Sequence, residues 1–231
     1  MKGKQFVLCV TALVLAIAVQ IRAQSSSAQD STGLPGDNFS LQGALEMFKK
    51  ASSPEEFEKL LNTQDNHVNN LDLNGDGDID YVRVVGKMDK DVHAFALQVA
   101  VSETENQDIA AIELEKTGDA NAILQIIGDE DIYGEQTIVE PDGGGNDDDE
   151  EVDDGGDGGG PSQNENSFES HNSARIVVNV WAWPSVRFVY APTYRVWVSP
   201  WRWRVYPAWW HPWRPFAWRV FHPFRARYHV G

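Results

Sequence analysis

Apolar positions recur along the chain first at helical and then at strand spacing. Leu41, Ala44, Leu45 and Phe48 share one face of a 3.6-residue period, which predicts a short amphipathic helix over residues 40–51. A second helix has a marked start. Ser53 stands as N-cap, Pro54 at the first helical position, and Glu56 completes a capping box. Phe57, Leu60 and Leu61 would form its buried face. The period then drops to two. Residues 79–85, 92–101, 109–115 and 122–127 read as strands, with 133–140 as a fifth. Turn-forming clusters at 87–91, 103–107 and 117–119 keep the connections short, which favours antiparallel neighbours. Residues 39–140 therefore read as an α+β domain, with two short helices packed on an antiparallel β-meander. A chain of this length buries one modest core.

The flanks break this pattern. Lys2 and Lys4 precede a predominantly apolar, uncharged run over residues 6–19, and Ala23 follows it. That run is shorter than the roughly 20 residues a membrane-spanning helix needs, and it suits a secretory signal peptide over 1–23. The only cysteine, Cys9, lies inside it, so the exported form carries no thiol. Residues 24–38 are rich in Ser, Gln, Gly and Asp and read as a flexible spacer. Residues 141–169 are Gly-, Asp- and Glu-rich, have little to bury, and read as a disordered acidic linker. Beyond them, 170–231 form a basic module rich in Trp, Arg and Pro.

Charge divides the chain sharply. The formal net charge of -16 hides 35 acids against seven Lys and Arg over 24–169, and nine arginines with no acid over 170–231. Such asymmetry points to a tail that seeks an anionic partner.

One short motif carries specific chemistry. Residues 72–80, DLNGDGDID, place oxygen-bearing side chains at alternate positions, with Gly77 permitting a sharp turn and Ile79 anchoring the loop to the core. Alternating oxygens are how a chain wraps a hard cation. The loop resembles the calcium loops of EF-hands, dockerins and FG-GAP repeats. That resemblance implies calcium as cofactor and Asp72, Asn74, Asp76, Asp78 and Asp80 as ligands, Asp78 through its carbonyl and Asp80 through water. Position twelve holds Arg83 instead of an acid, and a strand follows instead of a helix, so the FG-GAP arrangement is the nearer one. Without a metal, the same residues are an Asp/Gly turn entering a strand.

All nine tryptophans lie between Trp181 and Trp218, interleaved with arginine and proline. Residues 175–183, 186–190 and 194–198 read as short strands punctuated by Pro184, Pro192 and Pro200. Later prolines recur too often for a long helix. In Trp201-Arg202-Trp203-Arg204 an extended backbone sends rings to one side and guanidiniums to the other. Tryptophan suits membrane interfaces and arginine suits phosphates and carboxylates. The candidate contact residues are Arg187, Arg195, Trp197, Trp201, Arg202, Trp203, Arg204, Trp209, Trp210, Trp213, Arg214 and Trp218. Their partner is either an anionic envelope surface (lipid headgroup or glycan), met peripherally, or the chain's own acidic domain. Basic and aromatic residues also suit single-stranded nucleic acid, but export argues against it. The histidines, His67, His93, His211, His222 and His229 among them, are spaced irregularly for a metal motif.

No catalytic fingerprint stands in the sequence, and the reading is a non-enzymatic binding or structural protein. The layout resembles exported proteins of Gram-negative bacteria, which implies the periplasm or outer envelope face and no activity. A membrane-active antimicrobial or toxin-like protein masked by its acidic half is the alternative, and an envelope hydrolase the next.

Overall fold

The computed structural model describes residues 31–142 and 177–229. The expected signal peptide over 1–23, the first seven residues of the expected spacer, and all but the first two residues of the expected acidic linker lie outside them. The fold is α+β, with five α-helices and one five-stranded antiparallel sheet among the described residues. Helix α1 (Leu41–Lys50) starts where Ser40 caps it, its hydroxyl accepting from the Gly43 amide at 3.0 Å. Helix α2 (Pro54–Leu61) is capped by Ser53, which accepts from the Glu56 amide. The capping box is shifted by one residue from expectation, because the Glu56 carboxylate reaches back to the Ser52 amide at 2.8 Å.

Strands β1 (Val82–Asp89), β2 (Val92–Ala100), β3 (Asn106–Gly118), β4 (Asn121–Gly128) and β5 (Thr137–Val139) follow in sheet order 1-2-3-4-5. The first strand begins three residues later than the apolar pattern predicts, because Ile79 to Tyr81 are the exit of the acidic loop. The first hairpin is tighter, with Lys90 at a positive φ of 53°. Register shifts after Leu97, whose partner is Ala110 while Gln98 faces Asp108. The extra residue is Ile109, and the bulge explains why Ile109 and Ala110 are both buried. The expected fifth strand is present but shorter: Asp129 caps helix α3 (Glu130–Tyr133), Gly134 ends it, and three residues, Thr137–Val139, pair with β4.

Helices α1 and α2 cover one face of the sheet. Phe48 meets Phe57 edge-on at 5.2 Å and Phe95 at 5.6 Å, and all three are fully buried. The same core takes in Val180, Val186 and Val189 from the basic tail. The tail also lengthens the sheet. Val198 bridges Val85, the Gly86 amide donates to the Trp197 carbonyl at 2.7 Å, and the Ser199 amide donates to Val84. A Cβ on Gly86 would lie 2.7 Å from that Trp197 carbonyl, so the close approach requires glycine.

Several expectations for the flanks are overturned. Residues 186–190 are no strand: Pro184 occupies the first turn of helix α4 (Pro184–Val189), where its missing amide costs nothing. Of 194–198 only Val198 makes a bridge. Helix α5 (Trp218–Ala226) contains Pro223, which a nine-residue helix tolerates while Phe221 is buried. In the spacer, Pro35–Asn38 form a 3₁₀ turn whose Gly36 and Asp37 are buried. Arg225 donates to both of their carbonyls at 3.3 Å. No helix among the described residues is long and apolar enough to cross a membrane.

Candidate functional site

The acidic loop closes on its own backbone. Asp72 accepts from the amides of Gly75, Asp76 and Gly77 at 2.8, 3.1 and 3.0 Å. Asn74 accepts from the Asp76 amide, and Asp76 from the Asp78 amide. Gly75 and Gly77 both take positive φ, 73° and 86°, which lets the chain wrap. Ile79 is buried as its apolar character predicts. Asp80 lies inside the loop, not at its rim: it accepts from the Leu73 amide at 2.6 Å and the Asn74 side-chain amide at 2.8 Å. Burial pushes its carboxyl up to about 6, and the charges of Asp72 and Asp76 push the same way against those two hydrogen bonds. Asp78 is exposed. Among the described residues no group of three or more His, Cys, Asp or Glu is arranged to hold a metal. The donor set still suits a hard cation: Asp72 Oδ1 is taken by two amides, but each other carboxylate oxygen of the loop that accepts one N–H keeps a second lone pair. Asp72, Asn74, Asp76 and Asp80 are the side chains that would hold it.

The tail fastens this loop. The Ile79 amide donates to the Trp213 carbonyl at 2.8 Å, and Asn70 exchanges two hydrogen bonds with the backbone of Phe216. Tyr81, next after the loop, meets Trp210 edge-on at 5.1 Å.

Glu58 was not singled out by its sequence context, yet it is the polar centre of the docking. It is 2 % exposed and accepts four hydrogen bonds. Tyr81 and Ser199 hydroxyls reach it at 2.9 Å, the Val84 amide at 2.9 Å, and the Trp197 indole N–H at 3.3 Å. Two of those donors belong to β1 or its approach and two to the tail. Burial raises its carboxyl above the ordinary range, and the four donors oppose that. The one available signal was its place on a helix turn between buried Phe57 and Leu61, where a surface charge is out of pattern.

The expected contact residues separate into two groups. Trp210 is 4 % exposed and belongs to the core, and Trp197 packs against the core while bonding Glu58. Trp201, Trp203, Trp213 and Trp218 are half-buried and Trp209 is exposed. Arg187, Arg195, Arg202, Arg204 and Arg214 are all exposed. The Trp-Arg alternation holds in burial, but by a tight turn: Arg202 bridges Val205, and Arg204 has a φ of 55°.

Among the described residues the tail is not held by ion pairs. Three lysines of the acidic domain lie over tail indoles instead: Lys49 over Trp183 at 5.8 Å, Lys59 over Trp209 at 5.7 Å, and Lys116 over Trp181 at 5.4 Å. Tail arginines cover tail rings, Arg187 on Trp181 and Arg204 on Trp203. Among the described residues the one ion pair is Lys49–Glu46, so no tail arginine pairs with a carboxylate there.

Three of the histidines serve packing. His67 stacks on Phe224 at 3.8 Å, His222 lies against Trp218, and His93 is buried among Phe95, Tyr190 and Tyr194. The His229 side chain lies outside the described residues.

No family model, curated protein or solved structure matches this chain.

Proposed function

We propose that this is a non-enzymatic binding protein of the cell envelope, exported in its working form, whose scaffolded arginine–tryptophan surface attaches to an anionic surface. One observation carries the reading. Among the described residues the tail arginines pair with no carboxylate, although the folded domain beside them is acidic. Three lysines of the acidic domain lie over the tail's rings, and Arg187, Arg195, Arg202, Arg204 and Arg214 stay exposed. That arrangement favours the attachment reading over one in which the folded acidic domain masks the tail. Half-buried indoles beside free guanidiniums suit phosphate headgroups at a membrane–water boundary. The acidic loop serves as a calcium-stiffened brace for the surface, because the tail backbone hangs on Ile79 and Asn70 beside it.

Co-sedimentation with phosphatidylglycerol-containing vesicles, against phosphatidylcholine alone, tests the attachment. Each arginine near an anionic surface contributes about 1 kcal/mol. Replacing Arg202 and Arg204 together by alanine is expected to weaken binding to anionic vesicles about 30-fold. Equal binding to both vesicle types, or an unchanged double variant, refutes the proposal.

A further inference from the structure

The strand register sets one apolar row across the face of the sheet that points away from helices α1 and α2. Val198 of the tail bridges Val85, Val85 pairs with Ala96, Ala96 with Ala111, Ala111 with Ile127, and Ile127 with Ile138. Directly opposed residues share a face. Val84, Leu97, Ile112 and Ile126, one residue along each strand, belong to the core, and none of the row belongs to it or packs against it. The two ends of the row, Val198 and Ile138, are 55 % and 48 % exposed.

A polar row flanks it on either side. Lys87, Ala94 and Glu113 stand in register across β1, β2 and β3 on one side, and Arg83, Gln98 and Asp108 on the other. In both rows the base is on β1 and the acid on β3. The intervening β2 sets them about 10 Å apart within one chain, and neither pair forms an ion pair. Gln125 donates to Glu113 at 2.8 Å instead, Gln98 to Asp108 at 2.6 Å, and Arg83 to Asn106 at 3.1 Å.

We infer that this face pairs with the same face of a second copy of the chain, about a two-fold axis running along β2. Rotation about that axis exchanges β1 and β3. Lys87 of each copy then faces Glu113 of the other, and Arg83 faces Asp108, which makes four contacts of opposite charge. Val85 falls on Ala111, Val198 on Ile127, and Ala96 on its own counterpart, where the small side chain lets the sheets close. A two-fold interface must be self-complementary in this way. An unrelated partner would not require bases and acids to be placed symmetrically about β2, and Asp108 and Glu113 beside the stripe repel an anionic lipid surface. The charges also select the axis, because one along the apolar row would set Lys87 against Arg83 and Asp108 against Glu113.

The next row, Asp89, Val92 and Glu115, opposes like charges under the same rotation. It lies at the β1–β2 turn, where twisted sheets packed at about 30° diverge, and it bounds the contact. Three rows over five strands cover roughly 24 by 20 Å, so the pair buries about 1,000 Å², the lower limit of a specific interface. The association is therefore reversible. It is independent of the attachment reading, since Arg202 and Arg204 take no part in it.

Sedimentation velocity of the full chain over a concentration series tests it. The wild type is expected to pass from monomer to dimer as concentration rises, and added salt to weaken the dimer. Lys87→Glu and Glu113→Lys, both at exposed positions, are each expected to weaken self-association about tenfold, because two attractions per dimer become repulsions. Mixed in equal amounts, the two variants are expected to associate as the wild type does, since every cross-contact again joins opposite charges. Unchanged melting temperatures show that both variants keep the fold. A wild type that stays monomeric, a single reversal that associates as the wild type does, or a mixture no stronger than its components overturns the proposal.

Discussion

Glu58 concentrates the energetics of tail docking in one side chain. Four donors from β1, its approach and the tail meet on two oxygens, and an amide in its place would turn an N–H toward other N–H groups. Glu58→Gln is therefore expected to destabilise by about 1–3 kcal/mol, the cost of a buried donor left unpaired. Chemical denaturation at fixed pH measures it. The pH dependence has a definite sign. Burial raises the folded carboxyl above its unfolded value, so its contribution to stability is complete below an unfolded pKa of about 4.3 and is lost as pH rises through the folded value. The wild type is expected to lose stability relative to Glu58→Gln over that rise. A gap between the two that stays constant from acid to neutral pH contradicts this account.

At the scale of elements, the loop and the tail backbone behave as one assembly. Asp72 closes three amides and Asp80 holds Leu73 and Asn74, so the loop has a structural role with or without a cation. Calcium, by relieving the repulsion among its carboxylates, is expected to raise the melting temperature of the wild type above that in chelator. Asp76→Ala is expected to remove the difference. A scan that shows no calcium shift in the wild type, or the same shift in the variant, rules out the brace. Here the sequence was readable in type and less so in extent. The spacing of Leu41, Ala44, Leu45 and Phe48 announced the first helix, and the capping chemistry of Ser53 and Pro54 the second. The register shift at Ile109 was not readable, because alternation breaks there for the sake of the core and not of the strand. Residues 186–190 misled for a related reason: Val, Phe and Tyr favour strands intrinsically, but Pro184 opens a helix turn there and Val186 and Val189 are buried from it.

For the molecule as a whole, the tail belongs to the core. Val180, Val186 and Val189 each contribute roughly 1.5–3 kcal/mol of burial. Together with the aromatic contacts around Glu58, that is comparable with the 5–15 kcal/mol that holds a typical domain. A chain ended before residue 177 is therefore expected to lose its cooperative melt and to bind a hydrophobic dye. A sharp transition at the full chain's temperature in that truncation contradicts a shared core. Attachment to surfaces is for this reason best probed by substitutions at exposed arginines, which leave the core intact.

By itself the sequence determined the α+β class, the two helices, the antiparallel meander, the alternating oxygens of the loop and the charge division of the chain. Each is a local matter of period, cap, turn residue or count. Only the tertiary structure decided that the basic tail lies on the acidic domain through lysine–indole contacts, that Glu58 is buried beneath it, and that Trp210 is core while Trp209 is displayed. Those outcomes depend on which residues meet across more than a hundred positions of chain, and neither periodicity nor composition carries that distance.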